Sequence, residues 1–140
     1  MSAKPARIAA LLAEPGPAPP PGVDPHLASY FALFRAGRYY DAHDALEALW
    51  LPVRRTEEGA FFKGLIQLAG AFVHLQKDRP GPAAALFRLA DANLARFPGA
   101  PHGLDTGALR GRIAGWQSRL AAGAPPATLL APPPLLAPDA

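Results

Sequence analysis

Glu57-Glu-Gly-Ala-Phe-Phe-Lys-Gly-Leu-Ile-Gln-Leu-Ala-Gly-Ala-Phe-Val-His-Leu-Gln76 sets the architecture of this chain. At 100° per residue, Phe61, Leu65, Leu68, Phe72 and Leu75 fall on one stripe, with Phe62, Ile66, Ala69 and Val73 on a second stripe beside it. Together they cover about half the circumference, more than a helix lying on a surface needs, so several neighbours must pack around it. Thr56 offers an N-cap, and Glu57 and Glu58 suit the positive end of the helix dipole. At about 1.5 Å per residue this helix is about 30 Å long. Gly64 and Gly70 would let a neighbouring backbone come close.

On either side of this segment four more helices are expected. Asp24 and Pro25 form an N-cap and first-turn pair, Leu27, Tyr30, Phe31 and Phe34 recur at helical spacing, and Gly37 is a stop. A second helix runs from Arg38 to Leu51 and is closed by Pro52. Beyond the turn at Asp78–Pro82 a fourth covers Pro82 to Phe97. The last, Thr106 to Leu120, carries Leu109, Ile113, Trp116 and Leu120 on one stripe but also Gly107, Gly111 and Gly115. Each of those glycines costs about 1 kcal/mol relative to alanine. No segment alternates as a strand does. The expectation is an all-α, single-domain bundle of about five helices over 24–122, with a flexible, proline-rich extension at 1–23 and a proline-rich tail at 123–140. The leucines of that tail either stay in solvent or dock on the bundle, and its removal is expected to leave the bundle folded.

With 140 residues the chain has room for one domain. It contains no cysteine, which excludes disulfides, thiolate metal sites and thiol nucleophiles, and fits a cytoplasmic location. The apolar stretch at 8–13 is too short for a membrane span, so no membrane partner is expected. The net charge is +3 and the basic residues are scattered, with Arg54–Arg55 as the one adjacent pair. Nucleic-acid binding needs basic groups gathered on one face, so no nucleic-acid partner is expected. A homo-oligomer is left open.

Chemistry is sought where polar residues interrupt apolar faces. On the second helix Tyr39, Leu46 and Trp50, with Tyr40 and Leu51, define an apolar face that has His43 and Glu47 in its middle, while Asp41 and Asp44 point towards the rim or solvent. A glutamate on such a face is expected to be paired, because an unpartnered buried carboxylate costs several kcal/mol. Gln67 and His74 lie two turns apart on the third helix, with Lys63 near the same line. If the two helices pack antiparallel, His43 and Glu47 face Gln67 and His74. Two readings follow. In one, these groups form a structural polar network within a helical interaction module. In the other, His43, Glu47 and His74 hold one divalent ion (Zn, Mn, Fe or Ni), lined by Tyr40, Trp50, Lys63 and Gln67, with Asp44 as the base of a metal-dependent hydrolase. The His-Asp-Ala-Leu-Glu order lacks the second histidine of a zinc-peptidase HExxH motif, and no Ser/His/Asp or phosphate-loop pattern is present. His26 and His102 are expected at the surface.

The run Phe34-Arg-Ala-Gly-Arg-Tyr-Tyr-Asp-Ala-His-Asp-Ala-Leu-Glu-Ala-Leu-Trp50, then Phe62-Lys-Gly-Leu-Ile-Gln-Leu-Ala69 and His74, resembles the bacterial family called domain of unknown function 309. That family's pattern is His-Glu-x-Leu-Glu-x-x-Trp, then Gly-Leu-Ile-Gln-x-Ala and a downstream His. The resemblance implies an all-helical domain, sometimes described as a metal-dependent hydrolase of unassigned substrate. His43, Glu47, Trp50, Gln67 and His74 match the pattern; Asp44 stands where the family has the longer Glu.

Overall fold

The computed structural model describes residues 24–130. Those residues form six α-helices and a short 3-10 turn, with no strand among them: α1 Pro25–Arg35, α2 Tyr39–Val53, α3 Glu57–Gln76, α4 Pro80–Leu94, the turn Pro101–Gly103, α5 Thr106–Ala121 and α6 Ala127–Leu130. The all-α bundle expected from the sequence is the fold observed. The extension at 1–23 lies outside the described residues, as do Leu135 and Leu136 of the tail.

Local signals account for most boundaries. Asp24 caps α1 by accepting the His26 N–H at 2.7 Å, and Gly37 takes a left-handed φ of 76° that turns the chain into α2. The Thr56 side chain accepts the Gly59 N–H at the start of α3, and Asp105 does the same for Ala108 in α5. Two boundaries differ from expectation. α2 runs through Pro52 to Val53, because a proline in the last turn deletes one ladder hydrogen bond and the helix ends before a second is needed. α4 starts at Pro80 rather than Pro82 and stops at Leu94, short of Phe97. Proline suits a first turn, whose N–H groups have no intrahelical partner.

α3 is the hub. Phe72 sits at its centre, and rings from four other helices converge on it: Phe34 of α1 at 5.0 Å, Tyr39 of α2 at 5.1 Å, Phe87 of α4 at 5.6 Å and Trp116 of α5 at 5.0 Å between centroids. Phe61, Phe62, Leu65, Ile66, Leu68, Ala69 and Leu75 are buried around it. α4 comes close over Gly64, where an added Cβ would lie 3.1 Å from the Asn93 Cβ. α5 forms despite its glycines because Leu109, Ile113 and Trp116 are buried on one side. Tertiary packing supplies what local propensity lacks. The four-residue α6 packs against α3 and buries Leu129, so that leucine docks. Among the described residues, no helix is long and apolar enough to cross a membrane.

Candidate functional site

The site grows out of the first half of α2. Arg38 stands at the N-cap without a capping side chain and instead donates from Nε to Asp41 Oδ2 at 3.1 Å. Asp41 also lies in the first turn, where a negative charge meets the positive helix end. One turn on, His43 Nδ1 is 3.1 Å from Asp44 Oδ1 and 3.9 Å from Glu47 Oε2. The Tyr40 ring stacks on the imidazole with centroids 6.2 Å apart. One ligand atom each from His43, Asp44 and Glu47 can be chosen so that all three lie within 4.8 Å of one another.

Burial within this group is the reverse of the sequence expectation. Asp44, expected at the rim, is 1 % exposed, whereas the His43 and Glu47 side chains are 34 % and 25 % exposed. The sequence reading centres the apolar face on the large residues Tyr39, Leu46 and Trp50. Tyr39 and Leu46 are buried as expected, but they share the buried arc with Ala42 and Ala45, since alanines permit the closest approach of a neighbouring helix. That displaces the buried arc so that His43 and Glu47 sit at its edge. Tyr40 is 60 % and Leu51 44 % exposed, and Trp50 is half-buried, with the Lys63 ammonium 4.5 Å from its ring centre.

Gln67 and His74 are not brought to this group. Gln67 Oε1 accepts from Asn93 Nδ2 of α4 at 2.8 Å, so its stripe of α3 turns towards α4 and away from α2. His74 shares that stripe; its Nδ1 is buried and makes no hydrogen bond. Nothing in the sequence marked Asn93 as a partner, because that pairing depends on how α4 crosses α3. His26 lies at the start of α1, 3.5 Å from Asp24 Oδ1. His102, expected at the surface, stacks on Phe61 at 5.3 Å and approaches Glu58 Oε1 at 3.2 Å, so its ring also covers the start of α3.

The family model titled domain of unknown function (DUF309) matches residues 27–86. Over that stretch the chain is similar to the domain of unknown function 309 family. The match runs from α1 into α4 and includes His43, Asp44, Glu47, Trp50, Gln67 and His74, so the resemblance read from the sequence holds. No curated protein and no solved structure matches the chain. The matched segment carries the candidate site on its second helix and the hub of the bundle on its third.

Proposed function

We propose that this protein binds one divalent cation through His43, Asp44 and Glu47 and uses it in hydrolysis. The observation that carries the reading is the closeness of three ligand atoms on one helix, all within 4.8 Å of one another. One imidazole and two carboxylates suit Zn, Mn, Fe or Ni, and a one-His, two-carboxylate set leaves coordination positions for water. Such an ion would lower the pKa of a bound water and so supply a nucleophile near neutral pH. The partly exposed His43 and Glu47 support access from solvent, and the Tyr40 ring supports the orientation of the imidazole. This ligand set replaces His74 with Asp44, and it comes from one helix rather than two.

Elemental analysis of protein purified without an affinity tag tests occupancy directly. Added Zn²⁺ or Mn²⁺ is expected to bind once per chain and, at a hundredfold excess over Kd, to stabilise the fold by about 2.7 kcal/mol. The effect fades as pH falls through about 6, because imidazole must be deprotonated to coordinate. His43→Ala abolishes it and His26→Ala and His102→Ala leave it intact. A melting temperature indifferent to every divalent ion removes the metal reading. The helical interaction module then becomes the better account, on the strength of the exposed Leu51 of α2 and Leu89 of α4.

A further inference from the structure

Lys63 and Gln67 stand one turn apart on α3 and reach to different neighbours. The Lys63 ammonium lies 4.5 Å from the ring centre of Trp50 in α2. Gln67 Oε1 accepts from Asn93 Nδ2 in α4 at 2.8 Å. A primary amide has an acceptor oxygen and two N–H donors, so two amides side by side can close a second bond between the other nitrogen and oxygen. Here one bond forms. Among the described residues nothing hydrogen-bonds to Gln67 Nε2 or to Asn93 Oδ1, and no carboxylate pairs with Lys63. An acceptor, a neutral donor and a cation therefore follow one another from α4 across α3, each with capacity left.

We infer that Asn93, Gln67 and Lys63 together bind the carboxyl end of a peptide. An extended residue presents its N–H and its C=O on one side, as paired strands do when they exchange both bonds. At a terminal residue that C=O belongs to a carboxylate. Its N–H donates to Asn93 Oδ1, one carboxylate oxygen accepts from Gln67 Nε2, and the other pairs with the Lys63 ammonium. Residues one turn apart are about 5–6 Å from each other at Cβ, a step the long lysine stem spans, and the Trp50 ring holds the ammonium in place. The acceptor decides the class. A phosphate or a bare carboxylate sets an anion against the Asn93 oxygen, and a free amino acid brings a second ammonium towards Lys63; each is an opposing element that an acylated N–H avoids. On the far side of Gln67, Leu86 of α4 leans over Gly70, where an added Cβ would lie 3.1 Å from its Cδ1. The preceding residue of the peptide meets that apolar surface. The site uses none of His43, Asp44 and Glu47 and does not depend on the metal reading.

Titration of the isotope-labelled full-length chain with N-acetyl-alanyl-alanine, in the presence of EDTA, tests this by NMR. Asn93 is the chain's single asparagine, so its side-chain NH₂ signals are unambiguous. Saturable shifts are expected in the NH₂ signals of Gln67 and Asn93 and in the backbone signals of 63–70 and 86–93. N-acetyl-alanyl-alaninamide, which lacks the carboxylate, and propionate, which lacks the N–H, bind about tenfold more weakly or worse, as loss of a hydrogen bond to a charged group implies. Lys63→Met weakens binding by a similar factor, and Lys63→Arg keeps it. The comparison of acid with amide needs no variant, so it decides even if Lys63→Met fails to fold. No saturable shift at Gln67 and Asn93 overturns the proposal. So do shifts centred on α5, equal binding of propionate, or a Lys63→Met chain that binds like the parent. N-acetylalanine binding as tightly as the dipeptide overturns the peptide assignment, because a free acylamino acid would then be the ligand.

Discussion

Tyr30 shows how one side chain ties two helices together. Its ring is fully buried in α1, and its hydroxyl donates to the Leu65 carbonyl of α3 at 2.7 Å. Burial pushes its pKa well above the ordinary value of 10.0. Below pH 10 folded and unfolded chains both hold the proton. Above it the unfolded chain loses a proton that the native chain keeps, so stability falls as pH rises towards the raised native value. Tyr39, pushed upward by burial as well, adds to the same slope. Tyr30→Phe is expected to cost about 1 kcal/mol at pH 7, the net value of one hydrogen bond, and to flatten the alkaline decline. Urea denaturation at pH 7 and pH 10.5 checks both; an equally steep decline in the variant would assign the proton to another group. The same scale governs the site. Whether a carboxylate on α2 is buried depends on which neighbour crosses it, and the order His-Asp-Ala-Leu-Glu does not record that.

Glycines separate the elements by what surrounds them. Gly111 and Gly115 of α5 have nothing within 4 Å of an added Cβ. Gly111→Ala and Gly115→Ala are therefore expected to stabilise the protein by up to about 1 kcal/mol each, through helix propensity and a less flexible unfolded chain. Gly59 of α3 is the opposite case, because an added Cβ runs into the Val53 carbonyl at the end of α2. Backbone must then move, and Gly59→Ala is expected to destabilise by about 1–3 kcal/mol, overriding the same propensity gain. Chemical denaturation of the three variants checks the signs, and a stabilised Gly59→Ala would mean that the α2–α3 connection is looser than described. Propensity alone ranks the three changes alike.

The whole molecule closes around α3, and its last described helix takes part. Leu129 of α6 is 3 % exposed, and Arg119 Nη2 holds the Thr128 carbonyl at 3.0 Å. Leu129→Ala is expected to cost about 2 kcal/mol, at the low end for a buried leucine. For a domain of this size the melting temperature should fall by roughly 5–10 °C. Removal of residues 124–140 should cost at least as much. Circular dichroism melting decides, and an unchanged transition would place Leu129 outside the core.

The helices and the hub were legible in the order of residues alone. Apolar residues at a 3.6-residue period, Asp24 and Thr56 as caps and Gly37 as a stop are local signals, and each acts within a few residues of chain. The paired stripes of α3 also declared that several helices pack on it, and the Phe72 cluster is the result. Which polar residues meet was settled by packing. His43, Asp44 and Glu47 come together because they share one helix, but the exposure of Glu47 depends on the angle at which α1 and α3 cross α2. Gln67 and His74 turn to α4 for the same reason, and Leu129 docks through a contact more than fifty residues from its partners on α3. Periodicity fixes a residue's direction about its own helix axis. The rotation of that helix against its neighbours is set by side-chain volumes at the contact, where alanines at 42 and 45 joined Tyr39 and Leu46 on the buried arc and left Trp50 half-buried.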